Sequence, residues 1–372
     1  VCDDIEATVV DGRLSVRRTC ELGDAWFAAR AEGPPATIEG NAATLDEAAD
    51  AAAAILRQAR APLVYGLGGT SCEAQRQAVA LAEAIGAVVD PAGASGSGLA
   101  FQAVGSSTAT FGEIRDRAEL VVVWRADPAV TNPRLLERLR ADTRPLVVVD
   151  ERRTATAEHA DAFIALQAAR DVEALWALRA LVTEAPLDRE RAEALGDLAE
   201  RLRGVRHVAF IHGALGELAA LALSSLVRDL SRDRHAVTLA LRSDANARGA
   251  EDVLAWQTGF PTAVSFARGH PRANPGELSA AGLLERGEVD AALVVAAEPP
   301  PGLLELPAIV VGATATAAIA AAVRVAFATA ADGIEVAGTM HRMDGVPVPL
   351  RPPLAAQRPS VEDVLMEIAR RV

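Results

Sequence analysis

The sequence contains no lysine; all 37 of its basic residues are arginine. Against 50 acidic residues this leaves a formal net charge of −13. A protein that binds nucleic acid without regard to sequence needs a basic surface to displace phosphate counterions, so this balance argues against that class. Cysteine is scarce: Cys2, Cys20 and Cys72 are the whole set. Three thiols and no secretory signal point to a reducing compartment, and the chain is expected to be cytoplasmic. No apolar run reaches the ~18 residues needed to cross a bilayer. The nearest, residues 317–331, is mostly alanine and carries Arg324. The six histidines, His159, His207, His212, His235, His270 and His341, form no HxH, HExxH or HxxxH pair. That spacing argues against a zinc site made by this chain alone. There is no GxSxG elbow, and no GKS or GKT follows a glycine-rich turn. Aromatics are only 3% of the chain while hydrophobic residues are 51%, so the core must be built largely from alanine and branched aliphatics.

What the chain does contain is an alternation of short β-branched runs with amphipathic helices. IEATVVDGRLSVRR reads as a hairpin around Asp11-Gly12. Thr44 is placed to cap a helix whose first turn carries Asp46 and Glu47, and Ser360 to cap a C-terminal helix. Strands are expected at 62–67, 87–90, 120–128, 145–150, 207–213, 236–241, 291–299 and 308–313. Helices are expected at 72–86, 133–141 and through 171–203. Buried apolar runs of this kind signal parallel sheet covered on both faces. The expected fold class is α/β, with two doubly wound Rossmann-like lobes behind a small N-terminal β element. The expected divisions are an N-terminal β element and connector (1–43), a first lobe (44–204), a second lobe (205–330) and a C-terminal arm and helix (331–372). The lobes are free to be discontinuous in sequence.

Three stretches and one residue, Cys72, are candidates for chemistry. YGLGGTSCEAQ (65–75) follows a strand and opens a helix, and Gly66, Gly68 and Gly69 could bring backbone amides close to a phosphate. The same residues also suit a plain tight turn. DPAGASGSGLAFQAVGSSTATFGE (90–113) leaves the carboxyl end of a strand, where ligands bind, yet carries no charge between Asp90 and Glu113. It offers the location of a site without its reagents. Cys72 begins a helix, where a thiolate could be stabilised, but a lone half-buried thiol explains it as well. VDERRTATAEHAD (149–161) sets Arg152, Arg153, Thr154 and Thr156 after a strand, as an anion grip or as a cap and salt-bridge cluster. Trp124 and Trp256 are candidate interface anchors, and core packing accounts for them equally.

The order of these pieces carries a resemblance. CDD, then TCELG, GTSCEAQ, the D-x-A…Q-x-V-G loop, GEIRDRAELVVVWRADP, NPR, VVVDERRTATAEHAD and finally GTMHRMDGVPVPLRP run from residue 2 to the C-terminus. In that order they resemble the B subunit of formylmethanofuran dehydrogenase, of the molybdopterin oxidoreductase family. The resemblance implies a pterin cradle at Gly68, Gly69, Thr70, Arg152 and Thr154. It also implies an N-terminal [4Fe–4S] element in which Cys2 and Cys20 match the third and fourth cysteines, the first two falling upstream of Val1. Such a cluster needs four thiolates. The molybdenum or tungsten ligand of the family is a cysteine or selenocysteine in the stretch that here reads Ala92, Gly93, Ala94, Ser95, Gly96. No residue there supplies a soft thiolate.

The chain therefore resembles the branch of that family found in the bacterial formyltransferase/hydrolase complex. This branch implies a structural subunit with no cofactor of its own. Its expected partners are an amidohydrolase-like A subunit, a C subunit and a formyltransferase D subunit. A polyglutamate-bearing methanofuran-type carrier could be touched by arginine-rich segments 134–144 or 268–272. The alternative is an active molybdenum or tungsten dehydrogenase chain with pterin, [4Fe–4S] and a ligand such as Ser95. A third reading is a nucleotide-binding enzyme built on the turn from Gly66 to Gly69.

Overall fold

The computed structural model describes residues 4–11, 13–28, 31, 33–92, 98–274, 276–313, 315 and 317–372. Cys2, Gly93, Ala94 and Ser95 lie outside them. Strands β1 (Glu6–Val10) and β2 (Arg13–Arg17) form the expected N-terminal hairpin, with Val10 paired to Arg13 across the turn. They are followed by β3 (Ala36–Ile38), β4 (Asn41–Ala42), β5 (Pro62–Gly66) and β6 (Val88–Asp90). Next come β7 (Leu120–Trp124), β8 (Leu146–Asp150), β9 (Ala162–Ala165), β10 (His207–His212) and β11 (His235–Ala240). The chain closes with β12 (Val264–Ser265), β13 (Ala291–Val295), β14 (Ala308–Gly312), β15 (Val325–Ala328), β16 (Gly338–His341) and β17 (Pro347–Leu350).

Two compact units result. The first spans residues 94–243 and holds a five-stranded sheet in the order β11-β10-β7-β8-β9, all parallel. The second is made of residues 2–93 and 244–372, with an eight-stranded sheet in the order β12-β6-β5-β13-β14-β15-β3-β4. These boundaries differ from the expected division at residue 204. Strands β7 to β9 pair with β10 and β11, whereas β5 pairs with β13. The first unit is thus an insertion between β6 and β12 of the second. Within the expected C-terminal arm, β16 and β17 form their own antiparallel hairpin, with Gly338 opposite Leu350.

Both sheets are covered on both faces, which explains the near-continuous apolar strands. In the second unit the two faces alternate residue by residue. Val64, Leu293, Val295, Ile309 and Val311 enter one core, and Leu63, Ala292, Val294, Ala308 and Val310 enter the other. In the first unit Leu120, Val122, Trp124, Val147, Val149 and Phe210 share a core with the helices Asp171–Val182 and Glu217–Leu230. Capping follows the local chemistry. Thr44 and Glu47 form a reciprocal capping box on Leu45–Gln58, as do Ser360 and Asp363 on Val361–Ala369. Gly86 closes Cys72–Ile85 at φ +69°.

Two local expectations are corrected, and one apolar run resolves into two elements. The helix expected at 133–141 is a single turn, Leu135–Arg138, because Arg140 turns left-handed at φ +49°. The uncharged loop 90–113 includes a helix at Gly98–Val104 and the start of another, Phe111–Arg117. The long apolar run 317–331 is divided between a short helix, Ala317–Ala322, and β15. Among the described residues no helix is long and apolar enough to cross a membrane.

Candidate functional site

In the second unit the strand order reverses between β5 and β13, the position where open α/β sheets bind ligands beyond the strand ends. The turn leaving β5 is the glycine-rich candidate. Its glycines are required by the chain itself. A Cβ on Gly66 would lie 2.4 Å from the Ala297 Cβ and 2.6 Å from the Val295 carbonyl oxygen. One on Gly69 would lie 2.3 Å from the Ala296 carbonyl oxygen, and one on Gly68 2.4 Å from a carboxylate oxygen of Asp244. Leu67 donates its amide to Val295 O at 2.8 Å, so the ends of β5 and β13 close on each other. The tight-turn reading therefore accounts for all three glycines. Gly69→Ala should cost about 1–3 kcal/mol of stability through overpacking against backbone. A glycine kept only for ligand approach would tolerate alanine with an unchanged urea midpoint.

The helix Cys72–Ile85 starts directly after this turn, and a carboxylate sits at its beginning. Thr70 Oγ1 donates to Asp332 Oδ2 at 2.7 Å, and Asp332 is only 6% exposed. Burial pushes the Asp332 carboxyl up, while hydrogen bonds from Thr70 and from the amide and hydroxyl of Ser71 pull it back. Burial likewise raises Asp244. Asp90, at the end of β6, is raised by burial although it accepts the Ala280 amide at 2.6 Å and the Ala92 amide at 3.1 Å. Tyr65, the single tyrosine, is raised by burial and then by the charges of Asp90 and Asp244. Cys72 is buried, with its sulfur 3.6 Å from Asn246 Nδ2, and burial pushes its thiol up. It is a packed neutral thiol, not a helix-stabilised thiolate.

Asn246 and Gln75 hold this region together, and sequence reasoning missed both. Fully buried Asn246 donates to Thr70 O at 2.7 Å and accepts the His341 amide at 2.7 Å. Gln75 Nε2 donates to Leu67 O, Thr70 O and Asn246 O. His341 also pairs through Nδ1 with Asp252 Oδ2 at 2.7 Å, and Trp256 meets its ring edge-on. These bonds fasten β16 to the starts of the helices Cys72–Ile85 and Ala247–Thr258. Only the sequence position of GTMHRMDG gave any signal of this.

The other half of the expected cradle lies in the first unit. Thr154 Oγ1 accepts the Ala157 amide at 3.2 Å, a local cap, and Arg152 is exposed. Arg153 stands 5.4 Å over the Phe163 ring. The amides in this loop are directed at a residue of the chain: Asp127 accepts Ala155 N at 3.2 Å, Thr156 N at 2.9 Å and Thr156 Oγ1 at 2.6 Å. Local capping and the Asp127 carboxylate thus engage both threonines, Thr154 and Thr156. Nearby strand ends carry a buried ion cluster absent from the sequence-based candidates. Arg125, at the end of β7, reaches Asp171 at 2.9–3.0 Å and lies 3.7 Å from Asp150. Trp124 Nε1 also donates to Asp171 at 3.0 Å. At the end of β10, His212 holds Gly213 O through Nδ1 at 2.8 Å, and burial lowers its pKa to about 4.

Among the described residues no three His, Cys, Asp or Glu side chains gather as a metal site. Cys20 is a half-buried free thiol. Trp124 belongs to the core, whereas Trp256 is 64% exposed.

No family model matches the chain. The chain is 31% identical to the B subunit of the tungsten-containing formylmethanofuran dehydrogenase 2 of Methanocaldococcus jannaschii, over 94% of this chain and 90% of that protein. It is also 31% identical to the B subunit of the formyltransferase/hydrolase complex Fhc of Methylorubrum extorquens, over 72% of this chain and 75% of that one. A chain of the crystal structure of the FhcABCD complex from Methylorubrum extorquens with methylofuran is 27% identical. It superposes with a TM-score of 0.75, covering 90% of this chain and 98% of that one. With the fold and motif order agreeing, the chain belongs to the family of formylmethanofuran dehydrogenase B subunits, which includes the Fhc B subunit.

Proposed function

We propose that this chain is a non-catalytic structural subunit of a formyltransferase/hydrolase complex, with no redox cofactor of its own. The complex would convert formyl-tetrahydromethanopterin to formate through a methanofuran-type carrier in one-carbon metabolism. One observation carries the reading: the crossover after Asp90 contains no cysteine, and the remaining thiols are committed elsewhere or far away in sequence. Cys72 is packed beneath Asn246 and holds its proton. A molybdenum or tungsten pterin needs a soft ligand in that crossover, and this donor set does not fit it. The two segments matched to the pterin cradle present Asp332, Asp244 and Asp127 to their own turns. Each turn, taken by itself, meets a carboxylate of its own unit where an anion would have to sit.

In such a complex the chain would supply surface and rigidity. Its partners would be the amidohydrolase-like A subunit, the C subunit and the formyltransferase D subunit. The formyl transfer and hydrolysis would take place on those partners, and the carrier could reach this chain's arginine-rich segments. The coverage of the tungsten-containing relative favours a second reading, an active dehydrogenase chain with [4Fe–4S], pterin and a ligand such as Ser95. Affinity purification through a tag on this chain separates the two. The structural reading expects hydrolase and transferase subunits to co-purify and no formate-dependent reduction of a viologen dye. Dye reduction by the purified assembly would establish the second reading instead.

A further inference from the structure

We infer that Asp332 and Asp244 occupy the position that a phosphate group would take at the start of the helix Cys72–Ile85, and so make this turn reject phosphate-bearing ligands. The inference deepens the proposed function and rests on its reading that no pterin sits at this turn. A glycine turn followed by a helix start normally attracts phosphate through free amides and the positive end of the helix dipole. Here the Thr70 hydroxyl, just before the N-cap Ser71, is spent on Asp332, which is buried. The Gly68 Cα faces the Asp244 carboxylate. Glu73, in the helix's first turn, accepts the Thr339 amide at 2.9 Å, and Gly338 lies so close that a Cβ there would be 2.8 Å from the Ser71 Cβ. The carboxylates therefore place negative charge at the turn where an incoming phosphate would approach the helix start. At these separations in a partly buried site, each carboxylate weakens binding of a phosphate dianion by at least about tenfold.

The test is calorimetric titration of the full chain, in whatever assembly it purifies, with inorganic pyrophosphate. The parent should give no saturable binding up to ~10 mM, while Asp332→Asn with Asp244→Asn should bind at least about tenfold more tightly. Asp332→Asn keeps an acceptor for Thr70, and circular dichroism checks that the variant is folded. If the double variant does not fold, Asp244→Asn alone carries the comparison. Tight binding by the parent, or folded variants that bind no better than the parent, would overturn the inference. Neither outcome touches the metal and subunit composition on which the proposed function is tested.

Discussion

Replacing Arg125 by methionine should destabilise the first unit by about 3–5 kcal/mol, because it strands buried carboxylates without their cation. The Arg125 and Asp171 side chains are each 9% exposed, and Arg125 is in contact with Asp171 through both Nε and Nη2. The methionine would fill much of the volume, so the loss is electrostatic and not a cavity effect. Asp171 would retain the Trp124 indole as a donor, but one neutral hydrogen bond does not offset a buried charge. Adding Asp171→Asn should recover a large part of the loss, since an isolated charge is then no longer buried. Hydrogen exchange of residues 120–124, read with urea, reports on this unit without assuming that the whole chain unfolds at once. A change below about 1 kcal/mol would show that the cluster is not energetically coupled.

The second large effect is a loss of stability of the first unit in mild acid, caused by His212. The histidine is 5% exposed. Burial is the largest cause of its lowered pKa, the Gly213 carbonyl opposes it, and the charge of Arg242 adds to it. The folded-state pKa is about 4 against an ordinary value of 6.5. Between those values the unfolded chain binds a proton that the folded chain refuses. Its contribution to stability is therefore complete above pH 6.5, shrinks as the pH falls and is gone below about 4. Its full size is about 3 kcal/mol, from the difference in pKa. His212→Gln should flatten this dependence, and the difference between parent and variant from pH 7 to 4 isolates it from other titrating groups. Identical pH profiles for the two proteins would mean that His212 is protonated normally in the folded state.

The fold's elements were legible in the sequence because each rests on local chemistry. Thr44 with Glu47, Ser360 and Gly86 mark helix ends, and the valine runs of β7 and β8 mark buried strands. Which strands pair was not legible. Runs such as LVVVW and PLVVVD are interchangeable by pattern, and only the register of Val208 with Leu120 and of Leu63 with Ala292 shows that one unit interrupts the other. The single-turn helix after Pro133 was overestimated for a related reason: a left-handed Arg140 leaves no mark in sequence periodicity. At the candidate site, the glycines announced a turn but not its contents. Asp332 lies 262 residues from Thr70, and Asn246 lies 176 residues from it, so no local motif could reveal either contact. Arg125 and His212 were equally hidden, because burial decides their behaviour and burial depends on neighbouring strands.

With no sulfur ligand in its crossover, this chain is proposed to hold no molybdenum or tungsten. The direct measurement is molybdenum and tungsten content by mass spectrometry, with pterin extraction, on the intact assembly purified from its natural source. Both metals should fall far below one per chain, with no extractable pterin. One molybdenum or tungsten per chain, accompanied by pterin, would contradict it.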